Sequence, residues 1–549
     1  MPGQFPVHRT DLFAGVAIAA INIPTAVAYA ELAGFPPVVG LYASILPLIA
    51  YACLGSSRQL VVGPDAAICM MVAAALGPIA VGGSSRYLDL SITLSIMVGV
   101  VCLAAGILRL GAIADFLSRP ILVGFLNGIG LTIVSSQLGK LCGFVVRTDT
   151  GFFLRMIDFG SKLGETRLPT LFVGIVTLLL MLLTKRYAPR VPGPLVGVSS
   201  GAAMMLLLNP VHWRLSTLGS MPAGLPWPHL PSVSWTDVSL MLPDAGSIAL
   251  VCFCSSMLTA KIFAVRNGYE LSANRELIAI GIANFASALS QGFVIAGADS
   301  RTAINEQAGG RTQASGIAAA IIMAIFLALG ARSLEYVPTA SIGAILVLAG
   351  VALFDIQALR TIFRISRSEF ALSLLATLGV ATVGVLPGVA LAVILSLLLL
   401  LRRASSPYDA VLGQAPGLDG FTDVSESAEA QTVPGVLIYR FDAALLFFNA
   451  DYLKRRVRKA VKQSESMPSH FIFDMEAINS IDVTGLEALE ELRSEFKHKG
   501  INFVIARAKR IVSGRLVRAG FSERLGADHF YPSIRSAVQG CLRKQDFTG

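Results

Sequence analysis

The chain has 549 residues, of which 54% are hydrophobic and only 14% charged; a soluble protein usually carries about 25% charged residues, so one large soluble core is excluded. Its net charge of +9 fits basic loops beside a membrane better than a nucleic-acid surface, and no nucleic-acid partner is expected. The seven cysteines are scattered without metal-site spacing. They read as small packing residues, and neither a metal nor a cofactor is expected.

The start, Met1 to Asp11, is polar, and the apolar run after it has no small-residue cleavage site, so no cleavable leader is expected. Crossing a bilayer takes about 20 apolar residues. Runs of this kind, several interrupted by Gly or Pro, lie near 12–32, 36–54, 60–80, 90–108, 117–138, 168–185 and 194–208. A polar loop rich in Trp and Pro, 209–244, precedes a second set near 246–264, 274–291, 293–309, 312–330, 340–354, 368–384 and 386–402. The pattern predicts an α-helical membrane domain over 1–403 with 14 transmembrane segments, its repeats spanning about 10–208 and 245–403. Two similar halves with odd span counts sit upside down relative to each other, and the substrate is held where they meet.

With the N-terminus inside, the inner connections carry Lys185, Arg186, Arg190, Arg360, Arg364, Arg402 and Arg403, whereas the outer loop 209–244 has only Arg214. The N-terminus and the tail are therefore expected in the cytoplasm, and the chain in the inner (plasma) membrane, among its lipids. The basic stretch Lys140 to Arg167 breaks the rule and is expected to be an amphipathic surface helix. Residues 404–433, rich in Ser, Gly, Pro and acids, read as a linker. In 434–549, strands at 435–441, 470–474 and 501–506 alternate with helices at 482–499 and 510–519, the pattern of a compact α/β domain.

Two of the interrupted spans share a pattern. Leu60-Val-Val-Gly-Pro-Asp-Ala-Ala67 and Val294-Ile-Ala-Gly-Ala-Asp-Ser-Arg301 each run from a short extended apolar piece through Gly and a small residue to Asp, then into a helix-compatible stretch. Gly permits sharp reversal, Pro64 suits a first helical turn, and Asp65 and Asp299 can cap helices that begin mid-membrane. Irregular backbone at that depth is tolerated only inside protein or along a cavity. In inverted halves the two starts point at each other. Each carries about half a positive charge and free N–H donors, so the gap between them suits an anion. Two ordinary polar loops sharing Gly-x-Asp would look alike in isolation.

Further motifs carry a resemblance. Asn22-Ile-Pro-Thr-Ala-Val-Ala-Tyr-Ala30, Pro37-Val-Val-Gly-Leu-Tyr-Ala-Ser44 continuing to Gly55-Ser-Ser-Arg58, Asn274-Arg-Glu-Leu-Ile-Ala-Ile-Gly281, Ser300-Arg-Thr-Ala-Ile-Asn305 and Gly309-Gly-Arg-Thr312 together resemble the SulP family of anion transporters. Val39 departs from the Tyr often found there. The resemblance implies a core domain of spans 1–4 and 8–11 moving against a gate domain of spans 5–7 and 12–14, in a homodimer. It also implies an anion held at Asp65, Ala66, Ala298, Asp299, Ser300 and Arg301. Arg301 would either shape the potential there or pair structurally with Asp299 or a carbonyl. Coupled members carry an acid in the eighth span, where this chain has Ser255. Glu31, in the first span, is the expected carrier of the coupled proton; a sodium ion is the other candidate, and a headgroup-facing Glu31 the structural alternative.

The tail resembles STAS domains. Asn479-Ser-Ile-Asp-Val-Thr-Gly485 matches the motif that is phosphorylated in anti-sigma-factor antagonists and puts Thr484 at that position; a plain helix cap is the alternative. A cytoplasmic protein partner would fit such a domain. No Gly-rich phosphate loop or catalytic dyad is present in the sequence, so no enzymatic activity is expected. The expected function is secondary active transport of a small anion (sulfate, bicarbonate or a dicarboxylate such as fumarate) by proton-coupled symport through alternating access. The alternatives are an uncoupled channel or exchanger, and an anion sensor signalling through the STAS domain.

Overall fold

The computed structural model describes residues 9–111, 119–147, 151–189, 191–207, 215–219, 221–415, 417, 420–427, 429–464 and 466–546. Met1 to His8, part of the outer loop (208–214), Arg190 and Arg214 lie outside them. The chain divides into two compact units, 1–396 and 397–549.

In the first unit every expected span falls on a helix. The first half comprises α1 (Arg9–Leu32), α2 (Pro37–Leu54), β1 (Val62–Gly63), α3 (Ala66–Leu76), α4 (Ser85–Ile107), α5 (Arg119–Cys142), α6 (Phe152–Ser161), α7 (Leu168–Tyr187) and α8 (Gly193–Leu207). The second half repeats the pattern as α9 (Trp235–Asn267), α10 (Ala273–Leu289), β2 (Ala296–Gly297), α11 (Asp299–Gln307), α12 (Ala314–Leu329), α13 (Thr339–Ala352), α14 (Ile356–Ile365), α15 (Arg367–Val383) and α16 (Val385–Ser405). The basic stretch after α5 holds the amphipathic helix α6, as expected, with Arg155 turned inward to the Thr132 carbonyl and the Ser135 hydroxyl, each at 3.1 Å. One boundary moves. The eighth span begins at Trp235 rather than near 246, because Ser234 accepts from the Asp237 amide and starts the helix inside the polar loop.

These helices pack in two groups. One gathers α1 with α2, α11 and α12, and α4 with α9 and α10; the other gathers α5 with α7, α13 and α15. Small residues permit the close crossings. A Cβ on Gly40 of α2 would land on the Ala26 carbonyl oxygen of α1. In the second group Gly130 of α5 faces Gly350 of α13, and a Cβ on either would meet the other's carbonyl oxygen within 3.1 Å.

The second unit is a six-stranded sheet in the order β4-β3-β5-β6-β7-β8, with β5 to β8 parallel and β3 antiparallel to both its neighbours. The strands are β3 (Asp409–Gln414), β4 (Phe421–Asp423), β5 (Val436–Phe441), β6 (His470–Asp474), β7 (Asn502–Ala506) and β8 (Phe530–Tyr531). Helices α17 (Ala450–Gln463), α18 (Val483–His498), α19 (Arg510–Arg518) and α20 (Phe521–Leu525) supply one core with Phe471, Phe473 and Phe503, while α21 (Ile534–Asp546) covers the other face. Residues 404–433, expected as a linker, are corrected here: β3 and β4 belong to the sheet. Ala410 and Leu412 alternate inward from β3, a period of two too short to stand out among the polar residues.

Candidate functional site

The two interrupted spans are joined. β1 and β2 pair antiparallel, Val62 with Gly297 and Gly63 with Ala296, and the Ala298 amide donates to the Val61 carbonyl at 3.0 Å. In an antiparallel pair the chains leave from opposite ends, so α3 and α11 run apart with their N-termini turned toward each other. The remaining backbone groups are met by buried polar side chains, as a non-helical segment in a membrane requires. Thr302 Oγ1 accepts from the Val61 amide (3.1 Å), and Ser256 Oγ of α9 accepts from the Gly297 amide (2.8 Å). The Asn284 amide both donates to and accepts from the Ile295 backbone, and Gln313 Nε2 donates to the Leu60 carbonyl at 2.9 Å.

Arg301 is the largest fully buried side chain among the described residues, 2% exposed. Its guanidinium donates to Asn22 Oδ1 of α1 at 2.5 Å and to the Pro64 carbonyl just before α3. Gly63 leaves it room: a Cβ there would stand 2.6 Å from the Arg301 Nη1. The arginine therefore ties the α11 start to the α3 start and to α1. Of the two structural pairings considered for it, the carbonyl is present; its side-chain partner is Asn22, not Asp299.

Asp65 is the N-cap of α3, its carboxylate accepting from the Ala67 amide at 3.0 Å, with Ala66 opening the helix. Asp299 does not mirror it. Ala298 holds the N-cap position with no side-chain bond, and Asp299 is the first residue inside α11. Its carboxylate turns to α9 and accepts from the Thr259 hydroxyl, which itself lies 3.0 Å from the Ser255 carbonyl oxygen one turn earlier. The expected cap at Asp299 is corrected: Ala298 holds the cap position, one residue earlier, and the Asp299 carboxylate meets a threonine of α9. Asp299 and Ser300 are exposed, whereas Ala298, Arg301 and Thr302 are buried, so the surface open at this helix start is lined by the acid and the serine.

Ser255 sits half-buried on α9, and the Thr259–Asp299 contact brings a carboxylate within one helical turn of it. Glu31 lies apart from this cluster. It is half-buried, and its Oε1 pairs with Lys140 Nζ of α5 at 2.8 Å. Thr484 is exposed in the first turn of α18, after Asp482, whose carboxylate caps the helix through the Gly485 amide at 2.8 Å. Sequence reasoning missed Asn22, Thr259 and Lys140 as partners. Asn22 and Thr259 are polar residues within apolar runs, the one signal that could have raised them, whereas Lys140 opens the basic stretch after the fifth span and carries no such signal. No group of His, Cys, Asp and Glu suited to a metal occurs among the described residues.

Two inverted halves meeting at paired half-helix starts define a multi-pass membrane carrier of the broken-helix type, not an enzyme. The pattern of the Sulfate permease family matches residues 9–376 and that of the STAS domain residues 427–537, and the chain belongs to the sulfate permease family. It is 40% identical to a probable sulfate transporter of Mycobacterium tuberculosis, over 98% of this chain and 96% of that protein. It is 30% identical to sulfate transporter 1.2 of Arabidopsis thaliana, over 98% and 86%. Among solved structures, murine solute carrier 26 member A9, an anion transporter in the inward-facing state, superposes with a TM-score of 0.89 at 25% identity, covering 98% of this chain and 92% of that one. The transmembrane domain of the cyanobacterial bicarbonate transporter BicA shares the fold, with a TM-score of 0.61 at 24% identity over 71% of this chain and 98% of that one.

Proposed function

We propose that the chain is a secondary active transporter of a small anion, moved with a proton by alternating access. The observation that carries this reading is the pair of half-helix N-termini fastened by β1 and β2, with the buried Arg301 between them. Amide donors and a guanidinium converge there, and their positive potential favours an anion. Asp65, Ala66, Ala298, Asp299, Ser300 and Arg301 are the proposed binding residues. Sulfate is the first cargo to try, because the sequence relatives are named for it; bicarbonate and fumarate follow. Asp65, Asp299 and Glu31 weigh against a doubly charged cargo moving alone and favour a proton moving with it, with Glu31 as its carrier.

An uncoupled exchanger or channel is the second reading, supported by the absence of an acid at Ser255. Purified protein in liposomes separates the two. Accumulation of labelled sulfate, bicarbonate or fumarate against its gradient under an imposed proton gradient supports coupling. Dissipative flux alone supports the second reading, and binding without flux overturns both. In the same proposal the N-terminus and STAS domain face the cytoplasm, the chain works as a homodimer, and Thr484 is a phosphorylation site through which a cytoplasmic partner is engaged.

A further inference from the structure

The Glu31–Lys140 ion pair has a position that its two sequence neighbourhoods do not suggest. Glu31 stands near the end of α1, which packs on α2, α11 and α12; Lys140 stands near the end of α5, which packs on α7, α13 and α15. The pair therefore joins the two helix groups. It also lies off the anion site. Asn22, which holds Arg301, precedes Glu31 by nine residues on the same helix, a rise of about 13.5 Å. One group carries the half-helix starts, and this ion pair is a contact that a movement of one group against the other would strain.

The chemistry around the pair is spare. Lys140 donates to Glu31 Oε1 at 2.8 Å, while Glu31 Oε2 is buried without a hydrogen-bond partner. The elements packed on α1 bring few other titratable groups. Helices α8, α12 and α13 carry none, α2 brings Tyr42, Tyr51 and Cys53, and α3 brings Cys69, capped by Asp65. On α11 are Asp299 and Arg301, committed to the anion site, and Glu306, paired with Arg266 and Asn267. Besides Lys140, α5 carries only Arg119, at its opposite end, and Cys142. Lys140 is thus the counter-charge of Glu31 among the described residues, and the unpartnered oxygen leaves the carboxylate a place for a proton.

We propose that Glu31 and Lys140 form an ionic latch between the two helix groups, closed in the state seen here on the side of the anion site toward the α1 C-terminus. The latch opens in each transport cycle when Glu31 takes up a proton and releases Lys140. Lys140 is thereby a positioning residue for the transport step: its ion-pair partner is Glu31, away from the half-helix starts. The proposal rests on the reading of Glu31 as the proton carrier. It adds what the proton does, which is to remove the charge that holds the groups together.

The test uses the full chain in liposomes with labelled sulfate, or labelled fumarate if sulfate is not carried. It follows counterflow, which needs no proton gradient, and accumulation, which does. Lys140→Gln should raise counterflow by about threefold or more, the order set by loss of a half-exposed ion pair, and abolish accumulation. Lys140→Arg should keep both near wild type. Glu31→Lys and Lys140→Glu set like charges against each other, which opposes return to the closed state as a neutral Gln does not; each should impair counterflow, and their combination should restore it, an outcome that a merely structural lysine would not give. Wild-type counterflow and accumulation in Lys140→Gln would overturn the latch. If that variant does not fold, the charge swap decides, and a swap no better than its single members overturns the latch as well. A wild-type protein whose counterflow survives but whose accumulation ignores the proton gradient overturns the coupling role of Glu31. In that case swap rescue of counterflow would still support the ionic contact between the groups.

Discussion

Arg301 serves as both fastener and candidate ligand, and these roles separate on substitution. Its forked guanidinium reaches the Asn22 amide oxygen and the Pro64 carbonyl together, which an ammonium cannot reproduce. Arg301→Lys is expected to lower uptake of the labelled anion by about tenfold while the protein still elutes as a single species, because one charge-assisted hydrogen bond is lost and the positive charge kept. Uptake at the wild-type level would refute this. Asp299 makes the opposite prediction. Asp299→Asn keeps an acceptor for Thr259 but removes a negative charge from the anion's surroundings, so the half-saturating anion concentration should fall by about threefold or more. A rise in that concentration, measured in the same liposomes, would mean that the carboxylate helps to hold the complex. Both residues stood out in the sequence as ionisable groups within an apolar span. Their partners did not, since Asn22 and Thr259 are distant in sequence and acquire meaning only when α1, α9 and α11 are side by side.

At the scale of the element, apolar run length and Gly/Pro interruptions carried most of the information. All the spans, including the two broken ones, follow from them. The errors fall where composition and structure disagree. Strands β3 and β4 hide in a polar stretch because they are short, six and three residues, and are flanked by turn residues. Helix α17 went unseen because six Lys and Arg surround a narrow stripe of Leu453, Val457 and Val461, although that spacing of four is a helix period. The opening of α3 also carries a stability prediction. Asp65→Ala removes the cap on the Ala67 amide, and a lost N-cap costs about 1 kcal/mol. The variant should melt a few degrees lower than wild type in a thermal-shift assay in detergent; an unchanged midpoint would show that another group takes over the cap. Gly40 is more demanding, since any side chain there strikes the Ala26 carbonyl. Gly40→Val should fail to give folded protein at all, and a monodisperse variant with wild-type melting would contradict the α1–α2 crossing.

At the scale of the molecule, two units of different chemistry share one chain. The membrane unit has helices apolar on most sides, and the STAS unit has a water-facing surface laced with ion pairs. In the latter, Arg493 donates twice to Glu490, at 2.6 and 3.1 Å, and these bonds, with Arg524 beside them, hold the Glu490 carboxyl below its usual range. A depressed carboxyl stabilises the folded state above its unfolded pKa, and that contribution is lost as pH falls through the folded value. Arg493→Ala should therefore speed hydrogen exchange in α18 at neutral pH. The difference from wild type should shrink as the solution is taken into the acid range. A difference that persists or grows in acid would assign the effect to lost packing of the arginine stem.

The four-residue pairing of β1 with β2 bears on how such a carrier can diversify. Main-chain bonds contributed by opposite halves of the polypeptide make this joint, and the side chains that complete it, Thr302, Ser256, Asn284 and Gln313, are not those open at the helix starts. Substitutions at Asp65, Ser300 or Thr259 can then alter which solute is accepted while the scaffold that presents them persists. An insertion or deletion of a single residue between Leu60 and Gly63, or between Ile295 and Gly297, would do the reverse, spoiling the register and with it every solute preference at once.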